Sequence, residues 1–442
     1  MNQQVQRLSR RQLMALLAGG SAAAALASCG RGKGGNGAGP GADGNRILNV
    51  WTLDLAPKFN GYINGVIQAW ESQNPGVRVR WTDVPWGSAE RKLLAAVFAR
   101  TAPDLVNLNP PFAANLASKG GLLDLMPLLP SGAASTYLPQ IWQAGQAAGA
   151  QFALPWYLTT RITMANRRLL EQAGLEQPPS HWEQVPAYAQ VMRKRTGRYA
   201  LFISVVPDDS AELLETFVQM GVQLLDGDHQ AAFNSPAGRQ AFGFWSDLYR
   251  RGLLPKEVVS QGYRRAVELY QAGDLAQVAT GPDFLANLQT NAPGVAAHTA
   301  PYPPLLGASG DANVAMMNLA VPKQSAMAPE AISFGLMLTN APNQLAFAQQ
   351  ARVLPSAVAA LEELEKDLDQ PGSSGPLVQK ARLLSAQTLR YAKVLVPSIP
   401  GVKRLQAILY TQLQRAMLGE LSSDAALAAA EHQWNLYASA RW

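Results

Sequence analysis

The chain has 442 residues, a length that suggests two lobes or domains. A hydrophobic fraction of 48% with 15% charged residues excludes a disordered chain. Its +6 net charge falls to +3 without Arg7, Arg10 and Arg11 of a leader argued below to be removed (6 − 3), which gives no basis for nucleic-acid binding. Cys29 is the single cysteine, so no intrachain disulfide is possible.

The leader comes first. Residues 1–11 are polar and basic, and Leu13 to Ala27 is apolar, alanine-rich and too short to span a bilayer comfortably. This is the layout of an export signal. Ser9-Arg10-Arg11-Gln12-Leu13-Met14 resembles the twin-arginine motif, and Leu26-Ala27-Ser28-Cys29 resembles a bacterial lipobox. In lipobox proteins the cysteine is lipidated and becomes the first mature residue, which assigns residues 1–28 to the signal and Cys29 to the anchor. The glycine-rich stretch that follows, up to residue 46, is expected to be a flexible tether.

The body opens with a strand at Ile47–Trp51. A helix follows, with Tyr62, Val66, Ile67 and Trp70 on one face, and Asn74-Pro75-Gly76 ends it. Val77–Trp81 alternates as strand two, Ser88–Arg100 reads as a helix, and Pro103–Leu108 reads as strand three. Alternating strands and helices predict a parallel sheet covered on both faces, with a ligand site at the carboxyl ends of the strands. Those ends carry Trp51, Asp54, Trp86, Asn109 and Phe112.

Residues 153–166 read as one extended mid-chain segment that joins two lobes and lines the gap between them. It begins with Pro155-Trp156-Tyr157 and carries Thr159, Thr160, Ile162 and Thr163. A short helix follows and Gly174 closes it. Further on, the reading is helix at 182–195, strand at 199–206 and helix at 211–220, with Asp208-Asp209 as its cap. Another helix starts at Asn234-Ser235-Pro236, with Asn234 as its cap and Trp245 in its buried stripe. Gln277–Phe284 reads as a strand breaking into a turn, Asn313–Pro322 as a second crossing strand, and 331–338 as helix. Residues 361–376 suit a third connection, and the tail from 377 is mostly helical.

Four segments, in order over nearly all of 47–437, then resemble the carbohydrate-binding group of the extracellular solute-binding proteins of bacterial ABC importers. They are Asn49-Val50-Trp51 with Asn74-Pro75-Gly76; Ala102–Val106 with Leu116–Leu125; Leu154–Asn166 with Ala173-Gly174-Leu175 and Pro178–Glu183; and Leu319–Lys323 with Pro329-Glu330-Ala331, Leu338-Thr339-Asn340 and Leu354-Pro355-Ser356. The resemblance implies an α/β, two-lobed binding-protein fold, each lobe a mostly parallel sheet flanked by helices, joined by about three crossing strands. Carried over, lobe one comprises 47–158 and 316–365, lobe two comprises 159–315, and 366–442 adds lobe-two helices. The chain is expected to cross near Thr159, Met316 and Glu365.

The resemblance also implies function. The chain is expected to bind a di- or oligosaccharide or glucoside, close over it, and deliver it to permease subunits from the outer face of a bacterial membrane, as a monomer with no cofactor or metal. Sugar sites pair aromatic faces with carboxylates and amides. The expected ligand-binding residues are therefore Trp51, Asp54, Trp86, Asn109, Phe112, Trp156, Tyr157, Asp283 and Phe284, and Trp156→Ala is expected to weaken binding without unfolding. Many family members carry tryptophan directly after Gly-Pro, where this chain has Asp283, and an aromatic after the 397–400 turn, where it offers Gln406 and Tyr410. Those changes suggest a more polar or smaller ligand. The competing class is an exported glycoside hydrolase, which needs two spaced carboxylates. Asp54, Asp208, Asp209 and Asp283 are available but form no recognisable motif, and His181, His229, His298 and His432 lack metal-ligand spacing.

Overall fold

Two sheets, each with its own core, organise the body of this computed structural model, which describes residues 44–147, 149–370, 375–396, 399 and 401–441. The leader, Cys29, most of the tether and most of the 397–400 turn lie outside those residues.

The first sheet begins as expected. Strands β1 (Arg46–Leu53) and β2 (Val77–Val84) pair in parallel over their whole length, and β3 (Leu105–Leu108) joins β1 in parallel. Helix α1 (Asn60–Gln73) buries Tyr62, Ile63, Val66 and Trp70, the apolar face its spacing predicts. Helix α2 (Trp86–Phe98) links β2 to β3, and α3 (Pro110–Ser118) follows β3.

The mid-chain segment is two strands rather than one. β4 (Leu154–Thr160) joins the first sheet; β5 (Ile162–Asn166) joins the second; Arg161 alone stands between them. Helix α4 (Arg167–Ala173) follows and ends at Gly174, whose φ of 65° is the left-handed cap that glycine adopts without steric cost. The lower half continues with α5 (Val185–Thr196), α6 (Glu212–Gln219), α7 (Pro236–Arg250), α8 (Tyr263–Gln271), β6 (Gln277–Thr280), α9 (Phe284–Asn291) and β7 (Thr299–Tyr302). The long β8 (Ala312–Ala320) then returns to the first sheet, followed by α10 (Ala328–Leu338), α11 (Ala341–Ala351), β9 (Leu354–Pro355), α12 (Val358–Asp369), α13 (Pro376–Thr388), β10 (Ala392–Lys393), α14 (Val402–Met417) and α15 (Ser423–Ser439).

The first sheet runs β9-β4-β8-β3-β1-β2, with β10 beside β8; the second runs β6-β5-β7. Mostly parallel sheets are therefore not what forms. β8 pairs antiparallel with both β3 and β4, and β5 pairs antiparallel with β6 and β7. The reason is the crossing: β4 leaves the first sheet and β8 re-enters it, so they run in opposite directions side by side. The predicted strand at 199–206 also does not form. It makes one parallel bridge, Tyr199 to Leu275, after which Leu201, Phe202 and Ile203 line a cavity instead of pairing.

The core of the second half gathers Trp182, Phe217, Phe242, Trp245, Tyr270, Tyr410 and Trp434 around β5. Trp245, read as core, is fully buried and its Nε1 donates to Thr216 Oγ1 at 3.2 Å. The first half packs Trp70, Trp142, Trp156, Phe334 and Phe347 against β1 and β4. Two expected caps are reassigned. Ser235 rather than Asn234 caps α7, accepting from Gly238 N at 3.2 Å, while Asn234 donates to Glu431. Ser210 Oγ accepts from Glu212 N, and Asp209 instead accepts from Tyr263 N at the start of α8. Among the described residues no helix is long and apolar enough to cross a membrane.

Candidate functional site

The crossing strands carry a face that continues from one sheet to the other. Successive strand residues point to opposite sides. On β4 the even positions Trp156, Leu158 and Thr160 are buried, whereas Tyr157 and Arg161 are half-buried and Thr159 is exposed. On β8, Met317 pairs with Tyr157 and Ala315 with Thr159, and Ala315 is exposed. Tyr157, Thr159 and Arg161 are thus placed beside Met317, Ala315 and Asn313, a candidate floor whose Arg161 and Asn313 end lines a concavity.

The first-sheet end of this floor is aromatic. Trp51 and Tyr157 pack on a small apolar cluster of Leu53, Val84, Ala89 and Met317. Asp54, at the end of β1, adopts a left-handed φ of 50°, a conformation aspartate tolerates better than most side chains. Its carboxylate thereby accepts from Trp86 N at 2.7 Å, at the start of α2. Trp86 keeps 43% of its surface exposed. Nearby, Asp83 accepts from Thr52 Oγ1 (2.6 Å) and from the amides of Leu55 and Ala56, which fixes the β1–α1 turn. Burial, with Asp83 adding a negative charge nearby, pushes the Tyr157 hydroxyl pKa well above its ordinary value.

The second-sheet end is charged. Arg161 Nη1 contacts Glu215 Oε2 at 2.7 Å and Nη2 donates to Ser210 Oγ at 3.4 Å, while 38% of the arginine side chain stays open. Burial alone would lower the arginine's pKa, but Glu215 and Glu212 more than offset it and hold the guanidinium charged. Glu212, one turn before Glu215 on α6, has its pKa pushed up to about 7 by burial, with Arg161 opposing and Glu215 and Asp209 adding to the rise. The loop that leads into α6 is held from behind by α14: Gln406 Nε2 donates to Pro207 O at 2.9 Å and Tyr410 OH to Ser210 O at 2.8 Å. Those two residues support the site from the core. Beyond Arg161 a concavity of about 60 Å³ runs into the second half between β5, β6 and α6. At the rim Lys403 of α14 meets Glu90 of α2 at 3.3 Å, a contact between the two halves.

The nine expected site residues divide accordingly. Trp51, Asp54, Trp86 and Tyr157 come together at the aromatic end. Asn109 serves as the cap of α3, accepting from Phe112 N at 3.0 Å, and Phe112 is buried beneath it. Trp156 is fully buried and stacks on Phe347 at 5.1 Å; its Nε1 lies beside the Tyr62 hydroxyl without a well-aligned hydrogen bond. Phe284 is buried against Tyr270. Asp283 is exposed at the start of α9, where its side chain makes no cap hydrogen bond. Phe112, Trp156 and Phe284 thus offer a ligand almost no surface, because each sits on the core-facing side of its element. Arg161, Glu212, Glu215 and Asn313 were not anticipated. The signal for Arg161 was present: a lone charge inside an otherwise uncharged extended run.

Residues 56–345, about two thirds of the chain, match the model of the bacterial extracellular solute-binding protein family. The chain belongs to this family. Among solved structures, this solute-binding protein is similar to a candidate oligosaccharide periplasmic-binding protein of Synechococcus sp. MITs9220, with 63% identity, a TM-score of 0.84, and coverage of 89% of this chain and 100% of the other. It shares its fold with the cyclic α-maltosyl-1,6-maltose binding protein of Arthrobacter globiformis, at 21% identity and TM-score 0.75, over 89% of this chain and 99% of the other. Among curated sequences, a candidate binding protein of Brucella abortus is 23% identical over 242 residues, 54% of this chain; the matched region spans 59% of that relative.

Proposed function

We propose that this solute-binding protein is the lipid-anchored substrate-binding component of an ABC importer that takes a carbohydrate into the cleft between its halves and delivers it to the permease. The observation that carries the reading is the grouping of aromatic Trp51, Trp86 and Tyr157 at one end of the crossing strands and hydrogen-bonding Arg161, Glu212 and Asn313 at the other. Aromatic faces suit the C–H patches of a sugar ring, and charged and amide groups suit its hydroxyls. The four steps from Tyr157 to Arg161 span about 13 Å at strand spacing. That is longer than one pyranose ring, which favours a di- or oligosaccharide or a glucoside. The Synechococcus relative, described as oligosaccharide-binding, agrees with it.

Lobe one is taken as 47–158 with 316–365, and lobe two as 159–315 with the helices of 366–442. A ligand that touches both ends makes contacts available only when the halves approach, which is how binding drives closure. Two of the four candidate hydrolase carboxylates are engaged in holding backbone amides, Asp54 that of Trp86 and Asp209 that of Tyr263, which disfavours a hydrolase.

The test is a thermal-shift screen of the full chain against neutral mono-, di- and trisaccharides, polyols and glucosides, followed by chromatography of the sugar. A rise in midpoint with the sugar recovered intact is expected. No rise with any carbohydrate, or a cleaved product, overturns the reading.

A further inference from the structure

The cavity beyond Arg161 contains polar groups that the fold leaves unused. Gln277, at the start of β6, is only 3% exposed, and its Oε1 has no hydrogen-bond partner. The Glu212 carboxylate accepts no hydrogen bond from any described residue, although Arg161 is close enough to affect its charge. Neighbours lining the same cavity are satisfied by contrast. Trp182 Nε1 donates to Gln219 Oε1 at 2.8 Å, and Gln219 Nε2 donates to the carbonyls of Leu305 and Asp311 at 3.2 and 3.0 Å. A buried amide oxygen without a partner is costly; of the four such oxygens among the described residues, Gln277 Oε1 belongs to the residue that lines this cavity.

We infer that this cavity is a selective subsite in which Gln277, Glu212 and Arg161 read adjacent hydroxyl groups at one end of the ligand. The inference rests on the receptor reading above and adds the chemistry of the bound end. Arg161 offers donors only. Glu212 as a carboxylate offers acceptors only, and the Gln277 amide offers both. A hydroxyl both gives and takes hydrogen bonds, so two neighbouring hydroxyls satisfy the set. An ammonium group only donates and would leave the Arg161 donors without an acceptor. A ligand carboxylate only accepts and would face Glu212. The apolar walls, Leu201, Phe202 and Pro304, suit the C–H edges of a ring.

The test uses the full chain and calorimetric titration with maltose, cellobiose and sucrose as neutral probes, chitobiose as a cationic disaccharide and maltobionate as an anionic one. Gln277→Met keeps the side-chain size and removes the amide. It is expected to melt no lower than wild type yet bind the preferred neutral probe at least tenfold more weakly. Glu212→Gln, which retains an acceptor, is expected to lose less. Binding by Gln277→Met within twofold of wild type would overturn the subsite and leave the receptor reading intact. Binding of chitobiose or maltobionate alone would overturn the hydroxyl assignment. If neither these probes nor any carbohydrate of the wider screen binds the wild type, the carbohydrate reading falls and the subsite with it.

Discussion

On β4, the register with β8 shifts at Trp156, and the rings of both Trp156 and Tyr157 reach Phe347; Trp156 is fully buried, whereas Tyr157 keeps part of its surface and also packs beside Trp51. A sequence window full of aromatic and apolar residues does not show which parity is buried; the partner strands decide it. Trp156 has no exposed surface and stacks on Phe347, so its removal leaves a cavity. Trp156→Ala is expected to lower unfolding free energy by about 3–5 kcal/mol in a denaturant titration. This replaces the expectation of a binding defect in a stable protein. Glu212 makes a second prediction. Its carboxyl pKa is raised from 4.5 to about 7 in the folded state. Below pH 4.5 it is protonated in both states and costs nothing. Between 4.5 and 7 the unfolded chain ionises first, so stability falls as pH rises, and above 7 the loss levels off. The full effect is at most about 3 kcal/mol. Arg161, Glu215, Asp209, Tyr263 and Tyr410 all face this group and share in the balance. The stability gain of Glu212→Gln over wild type is expected to grow between pH 5 and pH 8; a pH-independent difference would refute the assignment.

At the scale of elements, periodicity located most helices and strands. The apolar stripe of α1, the alternation of β2 and the Gly174 stop are local patterns, and each formed where its residues specify. Three elements departed from the local reading, each for a non-local reason. The run at 153–166 breaks at Arg161 because its two halves pair with different sheets. The stretch after Tyr199 bridges Leu275 and then lines a cavity. Asp209 was drawn from its own helix to the α8 amide at Tyr263, more than fifty residues away. Cap residues are ambiguous in sequence when several oxygen-bearing side chains sit in a row, as at Asn234-Ser235 and Asp208-Asp209-Ser210. Which one bonds depends on the turn the tertiary packing imposes.

At the scale of the molecule, the two halves meet along β4 and β8, through a buried cluster that includes Ile141, Leu158, Leu364, Ala386 and Leu389, and at the Lys403–Glu90 contact. That ion pair is solvent-exposed, and such pairs contribute between zero and about 1 kcal/mol. The proposed anchor sits far from this machinery in sequence. Cys29→Ser is expected to move the protein from the membrane to the soluble fraction without changing its melting midpoint; a variant that stays in the membrane fraction would exclude a lipid anchor at Cys29.

The amino-acid sequence by itself determined the alternation of elements, the two-lobed class and the family, because these rest on local periodicity and on short motifs kept in order. The rule that strand ends carry ligands singled out Trp51, Asp54 and Trp86, but also Asn109 and Phe112, which serve as helix cap and core; Tyr157 came from the crossing segment. Only the tertiary structure decided that Trp156, Phe112 and Phe284 are core, and that Arg161, Glu212 and Gln277 line one cavity. The physical reason is distance along the chain. Residues 161, 212 and 277 lie on three separate elements, and their meeting depends on how β5, β6 and α6 pack, which no local pattern encodes.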